Sequence, residues 1–234
     1  MPQSSEHLYL ARLQCADPDR YFCNLFAPPE VRGTLALLYL FNNELARARE
    51  VASEPLLARI RLQWWREVVE GEAKKHEIAT PLSAALDSGV FARADLLGVI
   101  EAREMEAEAE IPDAAAFFAY ARGTSGRLAR IAGKILGADS VVIEDLGTAY
   151  GISGILRAVS FLAAQDRSLL PADATPLENL VAQARALLQV QPPRVGLAAA
   201  LPAVFARRDL GKKFAPRTLG DKFAVLRAAL TGRV

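Results

Sequence analysis

The stretch that decides the fold runs from Leu146 to Pro171 and reads LGTAYGISGILRAVSFLAAQDRSLLP. Its first half is apolar on nearly every face, a pattern typical of a helix that is buried all round. Gly147, Gly151 and Gly154 are spaced by four and three residues, so they share one helix face. Each glycine costs a helix about 1 kcal/mol relative to alanine. The bare face therefore predicts the close approach of another helix or of a ligand.

The same stretch carries two arginines, Arg157 within the helix and Arg167 just before a Leu-Leu-Pro exit. Arginines on either side of such a helix predict a grip on an anion, because guanidinium groups bind phosphate or carboxylate oxygens in pairs. Ordinary surface charge is the alternative interpretation. For the three glycines we prefer a helix crossing to a ligand contact.

The composition favours helices. The 234 residues are 52% hydrophobic and only 7% aromatic, and the dominant alanine and leucine are strong helix formers. No strand alternation or internal repeat occurs. The sequence therefore predicts an all-α fold, a single-domain helical bundle over residues 1–208 followed by a basic tail over 209–234. A net charge of +1 argues against a nucleic-acid partner.

The N-terminal region predicts a cytoplasmic protein. MPQSSEHLYL at 1–10 lacks a basic segment followed by an apolar one, so we expect no secretory signal, and it lacks the Arg-rich pattern of a mitochondrial transit peptide. No apolar run reaches roughly 18 residues, so no membrane span is predicted. A position peripheral to a membrane stays open. Cys15 and Cys23 have no metal-ligand spacing and are expected to be free, mostly buried thiols in a reducing compartment.

Two long helices are predicted before the glycine-rich stretch. The first begins at Glu30, and its inner stripe has one polar member: Val31, Leu35, Leu38, Asn42 and Leu45. The second begins at Pro55, and its inner stripe is predicted as Leu57, Ile60, Trp64 and Val68. Further along the chain, Gly123 and Gly126 predict a kink or a close helix crossing.

Catalytic groups are scarce. His7 and His76 are the only histidines; they lie in polar surroundings away from either cysteine and are interpreted as surface residues. Nucleotide-phosphate and zinc-protease motifs are missing. A helical bundle with an apolar interior favours a lipid-like ligand, and metal-bridged diphosphate chemistry would need carboxylates four residues apart on one helix face.

That carboxylate spacing is not met by aspartates anywhere in the chain. Glutamates have it at 50/54, where Pro55 ends the helix, and at 104/108 and 106/110 within the segment EAREMEAEAE. Two pairs on adjoining faces are more typical of a solvated acidic surface than of a metal site. We adopt the acidic-surface interpretation.

In these motifs the chain resembles the squalene/phytoene synthase family from about Asp19 to Pro171. The resemblance rests on PPEVRGTLALLYLFNNE, RLQWWREVVEG and GISGILRAVSFLAAQDRSLLP. The last stretch fits the family form NILRDxxEDxxxGRxYLP at ILR, Arg167 and Leu170-Pro171. The resemblance implies the all-α isoprenoid synthase fold and, in catalytic members, condensation of prenyl diphosphates with Mg²⁺ held by aspartates on two helices.

The positions of those aspartates hold other residues in this chain: Ala46, Arg47 and Glu50 in the first motif, and Ala158 and Leu162 in the second. Magnesium needs oxygen ligands, and a guanidinium group repels it. The resemblance therefore implies no catalytic residues, no metal site and no cofactor. We expect Arg47 to form a buried ion pair with Glu44 or Glu50, which would compensate for the lost metal.

Part of the family's ligand site is retained, although Gly154 stands where the family has an asparagine. By the resemblance, the residues left to bind a ligand are Tyr39, Phe41, Gly151, Gly154, Arg157 and Arg167. The two arginines could still hold a phosphate group.

Four segments, FNNELA, RLQWWR, GISGILRA and LLP, are most similar to a branch of the family that lacks the aspartates and includes a mitochondrial complex I assembly factor. This implies a degenerate bundle that binds a protein, such as a respiratory-complex assembly intermediate, or an isoprenoid lipid. One alternative is an active prenyltransferase that binds Mg²⁺ through Glu44, Glu50 and the 104–110 cluster. The other alternative is a helical scaffold that resembles the family only because its helices pack in a similar way.

Overall fold

The computed structural model describes residues 3–50, 55–108, 110–212 and 214–234. Their regular structure consists of thirteen α-helices and three shorter helical turns, apart from one isolated bridge between Ile111 and Pro171. The predicted all-α class is confirmed. The chain divides into two compact units, Met1–Glu108 and Ala109–Val234.

The first unit contains six α-helices and a 3₁₀ turn: α1 (Gln3–Ala16), α2 (Pro18–Asn24), α3 (Pro29–Glu50), α4 (Pro55–Glu70), α5 (Ala79–Asp87), α6 (Arg93–Glu104) and the turn Met105–Ala107. Prolines open α2, α3 and α4, because a first-turn residue needs no N–H partner. Asp17 caps α2 by accepting the Arg20 N–H at 2.9 Å, which leaves one fewer unpaired donor at the helix start.

The long helix α3 is the core of the first unit, where it packs against α1, α2, α4, α5 and α6. Its predicted stripe is buried except at Val31, which is half-buried. The buried members are Leu35, Leu38, Asn42 and Leu45. The ring of Phe41 meets Trp65 of α4 edge-on at 5.5 Å between centroids, a geometry that adds to the energy of burial.

The predicted inner stripe of α4 is wrong at its first two members, whereas Trp64 is half-buried and Val68 is buried as predicted. Leu57 and Ile60 are 45% and 57% exposed. The buried face instead consists of Ala58, Leu62, Trp65, Val68 and Val69. The contact between Trp65 and Phe41 sets this orientation, and the helix carries large apolar residues on both faces, so periodicity alone could not select the inner one.

His76 is placed differently from its predicted surface position. Its ring is half-buried and lies edge-on to Trp64 and Trp65 at 5.6 and 5.4 Å. Its Nδ1 accepts the Ile78 N–H at 3.1 Å just before α5 begins. His76 is therefore a packing and capping residue, whereas His7 is exposed as predicted.

The second unit contains seven α-helices, a π-helical turn and a 3₁₀ turn: α7 (Ala114–Ala121), the π turn Arg122–Gly126, α8 (Arg127–Ile135), α9 (Val141–Ala163), α10 (Leu177–Leu187), the 3₁₀ turn Arg194–Gly196, α11 (Leu197–Ala200), α12 (Pro202–Asp209) and α13 (Leu219–Thr231). The helix of the glycine-rich stretch, α9, packs against α7, the π turn, α8, α10, α11 and α12. It is the core of this unit.

The glycines of α9 make the predicted helix crossing at two of their three positions. A methyl group on Gly147 would overlap the Ala129 side chain and lie 2.8 Å from the Ser125 carbonyl oxygen, and one on Gly151 would lie 2.6 Å from the Ser125 Cβ. Only hydrogen fits at such distances. Gly154 differs, because nothing lies within 4 Å of the equivalent point and the residue is exposed.

The opposite side of this crossing is the π turn, which confirms the irregularity predicted at Gly123 and Gly126. A methyl group on Gly126 would overlap Thr148 of α9. The Thr124 hydroxyl donates to the Tyr120 carbonyl at 2.7 Å, so a side chain satisfies a backbone group within the irregular turn. The extra residue of a π turn widens the helix locally, and here it sits where α9 passes closest.

Among the described helices, α9 has the length and hydropathy that a membrane span would need, with a mean hydropathy of 1.3 in its most apolar window. Within that window 44% of the residues are buried inside the protein. Packing against α8, α10 and α12 accounts for this composition. The observation is therefore weak evidence for a membrane span.

The segment predicted as a basic tail contains α13. Thr218 and Asp221 form a capping box at its start, in which the Thr218 N–H donates to Asp221 Oδ2 at 2.7 Å. Arg208 Nε donates to Asp221 Oδ1 at 2.5 Å. Burial raises the pKa of Asp221, but hydrogen bonds from Thr218 and Arg208 outweigh it and lower the pKa to about 2.

Replacing Gly147 by alanine is expected to destabilise the protein by about 1–3 kcal/mol, because the added methyl group forces α9 away from α8 and the π turn. Gly154→Ala is the matched control, since it makes the same change on the same helix in open space. It is expected to be neutral or to stabilise by up to about 1 kcal/mol. Urea unfolding measures both, and equal effects would contradict the close crossing.

Asp221→Asn is expected to lower the free energy of unfolding at pH 7 by about 2 kcal/mol, because the native pKa lies well below the ordinary value near 3.9. A carboxyl group whose pKa is lower in the folded than in the unfolded protein stabilises the fold fully at pH values above its unfolded-state pKa. This contribution is lost as the pH falls through the folded-state pKa. The wild type and the variant should therefore differ fully at pH 6 and converge between about pH 4 and pH 2. Unfolding at a series of pH values tests this, and a difference independent of pH would refute it.

Candidate functional site

The last turns of α3 carry the positions at which the family resemblance places metal ligands. Ala46 is half-buried. Arg47 has 54% of its side chain exposed and a guanidinium nitrogen 3.7 Å from Glu44. The predicted pair with Glu44 is present, but the prediction that it is buried is wrong, because the guanidinium group extends into solvent. The side chain of Glu50 lies outside the described residues.

A groove of about 590 Å³ lies beside Arg47 in the first unit. Its charged walls are formed by two ion pairs, Arg12 with Glu77 and Arg47 with Glu44. Because each arginine already has a carboxylate partner, the groove presents no excess positive charge to a diphosphate. Cys15 also lines it and is a free thiol, as predicted, but it is exposed, so the expected burial of the thiols is confirmed only for Cys23.

Three of the glutamates proposed as unorthodox metal ligands pair with arginines. The pairs are Arg66 with Glu104 at 2.6 Å, Arg103 with Glu106 at 2.5 Å and Arg59 with Glu108 at 2.7 Å. The acidic-surface interpretation needs this correction, because the carboxylates are neutralised by guanidinium groups rather than by solvent alone. Within the described ranges, no cluster of three or more His, Cys, Asp or Glu could hold a metal ion.

The pair between Arg103 and Glu106 is the most buried of the three, with side chains 13% and 7% exposed. Arg103 also donates to the Asn42 side-chain oxygen at 3.2 Å, and Arg49 donates to the Glu106 carbonyl at 3.2 Å. This network connects α3 to α6 and the 3₁₀ turn that follows it. A buried polar side chain on α3, Asn42, is thereby satisfied.

Tyr39 and Phe41, predicted to bind a ligand, lie in the core of the first unit. Tyr39 is 4% exposed and Phe41 is fully buried. Burial raises the pKa of Tyr39, and the Arg20 guanidinium lies 5.7 Å from its ring centroid. Their contacts explain the fold of this unit; their assignment to a ligand site stays a prediction.

The second unit contains a larger groove, of about 910 Å³, along the second half of α9. We call it the α9 groove. Its lining combines apolar side chains with charged ones: Leu156, Val159, Leu177, Val181 and Phe214 with Arg157, Glu178, Arg185, Asp209 and Lys212. An apolar surface with a few charged groups is typical of a site for an elongated amphipathic ligand.

Arg157 is the predicted site residue that lines the α9 groove. It binds Asp209 at 2.6 Å and donates to the Ala215 carbonyl at 3.1 Å. Its guanidinium lies 5.0 Å from the Phe214 ring centroid. Arg217 binds the same Asp209 at 2.8 Å. Asp209 therefore sits between two arginines, and Arg157 fastens α9 to the segment before α13.

The remaining predicted residues lie on α9 or just after it. Gly151 is in the helix crossing and Gly154 is exposed. Ala158 is half-buried and Leu162 is buried, and neither supplies an oxygen donor from its side chain. Arg167 is half-buried, with its backbone N–H donating to the Leu162 carbonyl at 3.0 Å. The assignment of Arg157 and Arg167 to a phosphate stays a prediction.

Sequence reasoning missed Asp209 and Arg217, because the bundle was expected to end at residue 208. It also missed Arg185, which lies on a helix where no site residue was predicted. Arg185 of α10 donates to the Leu210 carbonyl at 3.0 Å and so holds the same segment. One signal was available: Asp209 is a lone acidic residue within a basic stretch of sequence. A carboxylate in such a position has several possible cationic partners, and the fold selects two of them.

The sequence pattern of the squalene/phytoene synthase family matches residues 13–179, which is more than half of the chain. The chain belongs to this family. The predicted family resemblance is confirmed, and the match covers both the last turns of α3 and the whole of α9.

Two relatives are named as assembly factors. Assembly factor 6 of NADH dehydrogenase (ubiquinone) complex I from Rattus norvegicus is 29% identical over 177 residues, which are 71% of this chain and 53% of that protein. The Homo sapiens protein of the same name is 26% identical over 185 residues, which are 75% and 56% of the two chains. The chain thus spans about half the length of the curated relatives it matches.

Two solved structures of synthases share the fold. A dehydrosqualene synthase in complex with ligand has a TM-score of 0.75 at 15% identity, covering 98% of this chain and 96% of that one. A squalene synthase from Alicyclobacillus acidocaldarius has a TM-score of 0.68 at 15% identity, covering 98% and 94%. The predicted isoprenoid synthase fold is confirmed; at this identity the likeness establishes the fold alone.

Arg103→Ala is expected to destabilise the protein by about 3–5 kcal/mol, because it leaves the Glu106 carboxylate buried without its partner. Arg59→Ala is the matched control, since it breaks an ion pair between two side chains that are more than half exposed. That variant should cost at most about 1 kcal/mol. Chemical unfolding measures both, and the double variant Arg103→Met with Glu106→Leu should recover most of the loss. Equal losses for Arg103→Ala and Arg59→Ala would refute the buried network.

Proposed function

We propose that this chain is a catalytically degenerate member of the squalene/phytoene synthase family that acts by binding, as an assembly factor does. The observation that carries the proposal is the donor set at the two metal-motif positions. Ala46 and Arg47 on α3, with Ala158 and Leu162 on α9, offer no side-chain oxygen to Mg²⁺. One carboxylate, that of Glu50, is left at the five motif positions, and a single carboxylate cannot hold the metal cluster on which diphosphate ionisation depends.

The charges around these positions support the same proposal. Arg47 and the three glutamates from 104 to 108 are already in ion pairs within the first unit. Recruiting those glutamates as metal ligands would break three pairs with arginine, one of them buried. We therefore expect no cofactor, and the prenyltransferase alternative has no specific observation in its favour.

The partner we propose is a protein, an assembly intermediate of a respiratory complex. Its support is the relatives named as complex I assembly factors, at 26–29% identity over more than two thirds of this chain. An isoprenoid lipid in the α9 groove is a second candidate ligand, favoured by the groove's volume of about 910 Å³ and its apolar lining. We place the protein in the cytoplasm or peripheral to a membrane.

The catalytic half of the proposal is tested by incubating the full chain with farnesyl or geranylgeranyl diphosphate, Mg²⁺ and NADPH. We expect neither a condensed hydrocarbon nor released pyrophosphate. A squalene synthase assayed in parallel is the positive control. Turnover at about 1 per second, at the lower end of the range typical of enzymes, would overturn the degenerate assignment.

The assembly half is tested by deleting the gene in its native host and separating the respiratory complexes on native gels. We expect NADH dehydrogenase subcomplexes to accumulate and the wild-type gene to restore the full complex. The variant Asp209→Asn, which loosens the segment before α13, should restore it less well than the exposed-pair variant Arg59→Ala. A fully assembled complex in the deletion strain would refute the proposed partner.

A further inference from the structure

The last helix presents an unusual outer face. Leu219, Phe223, Leu226 and Leu230 of α13 recur at spacings of four, three and four residues, so they form one continuous stripe. Each of these side chains is between 38% and 75% exposed. A helix of 13 residues thus carries an exposed apolar stripe about 17 Å long, of which Leu226 is the most covered member.

The opposite face of α13 is buried against the protein. Asp221, Val225 and Ala228 are buried, and α13 packs on α12 within the second unit. At 100° per residue the buried face lies opposite the outer stripe. The helix is therefore fixed to the protein by one side and directs its leucines and phenylalanine outward by the other.

Basic residues flank the stripe on both edges. Lys222 lies on one side and Arg227 on the other, both exposed and each about 60–80° from the stripe's centre. Residues 207–234 carry eight lysines and arginines against two aspartates, although the whole chain has a net charge of only +1. The two aspartates are already paired, Asp209 with Arg157 and Asp221 with Arg208. The segment that contains α13 therefore carries six more basic than acidic residues.

We propose that the outer face of α13 docks on an anionic lipid bilayer, with its axis in the plane of the surface. An apolar stripe edged by lysine and arginine matches the boundary between acyl chains and acidic headgroups. The stripe enters the acyl region while Lys222 and Arg227 reach the headgroups. This inference does not depend on the proposed function, because it concerns the surface that holds the protein rather than what the protein assembles.

Charge complementarity selects the bilayer over a second copy of this chain. A symmetric contact through the stripe would bring the basic edges of two copies together, with both nearby aspartates already neutralised. Like charges at such an edge disfavour association. An anionic surface instead attracts the exposed basic residues on both edges of the stripe, Lys222 and Arg227.

The test is flotation of the full chain with vesicles of phosphatidylcholine alone or with about 30% phosphatidylglycerol, at low and high salt. We expect binding to the anionic vesicles only, weakened by salt because exposed charges are screened. Phe223→Gln and Leu230→Gln should each reduce the partition coefficient about tenfold or more. Lys222→Gln with Arg227→Gln should reduce it about thirtyfold, since each basic residue near such a surface contributes about fivefold.

Leu8→Gln, which changes an exposed leucine of α1, is the matched control and should bind as the wild type does. Circular dichroism and thermal unfolding confirm that each variant is folded. Loss of vesicle binding in Leu8→Gln equal to that in Phe223→Gln would overturn the assignment to α13. If the wild-type chain does not bind anionic vesicles, the proposal is wrong. In that case, a wild-type dimer that Phe223→Gln dissociates would show that the stripe contacts a second copy of the chain. A monomeric wild type would instead indicate a contact with a partner protein.

Discussion

The second unit depends on one close approach, the passage of α9 over the π turn and α8. Gly147 and Gly151 have no side chain to separate the helices at this point, and neither does Gly126 on the opposite side. Side chains of ordinary size would hold the helices farther apart and lose dispersion contacts along their whole length. The position of Arg157 and of the α9 groove follows from this contact, because both lie further along the same rigid helix.

In the first unit, guanidinium groups lie at or beside the positions where the family resemblance would require oxygen ligands for a metal. Arg47 replaces a ligand position on α3, and arginines pair with the glutamates that follow α6. The buried network of Arg103, Glu106 and Asn42 joins α3 to α6 through protein groups alone. The fold shared with the synthases is thus retained, and in this unit it is held together in part by ion pairs.

The parts of the fold that the sequence predicts well are α3 and α9, since each has one long stripe of a single period. The orientation of α4 was not predictable, because Leu57 and Ile60 compete with Leu62 and Trp65 for the inner face and tertiary contacts decide. The pairing of Asp209 with Arg157 joins residues 52 apart in sequence. No periodicity encodes a contact of that kind, so a single sequence could name Arg157 but not its partner.

The carboxylate of Asp209 gives the chain an anion of its own. Held by Arg157 and Arg217, it already pairs with the guanidinium group that the family resemblance predicts for a phosphate. A phosphate group that approached Arg157 would have to displace this internal counter-ion. Engineering synthase activity into this scaffold would therefore require the removal of an internal counter-ion as well as the introduction of metal ligands.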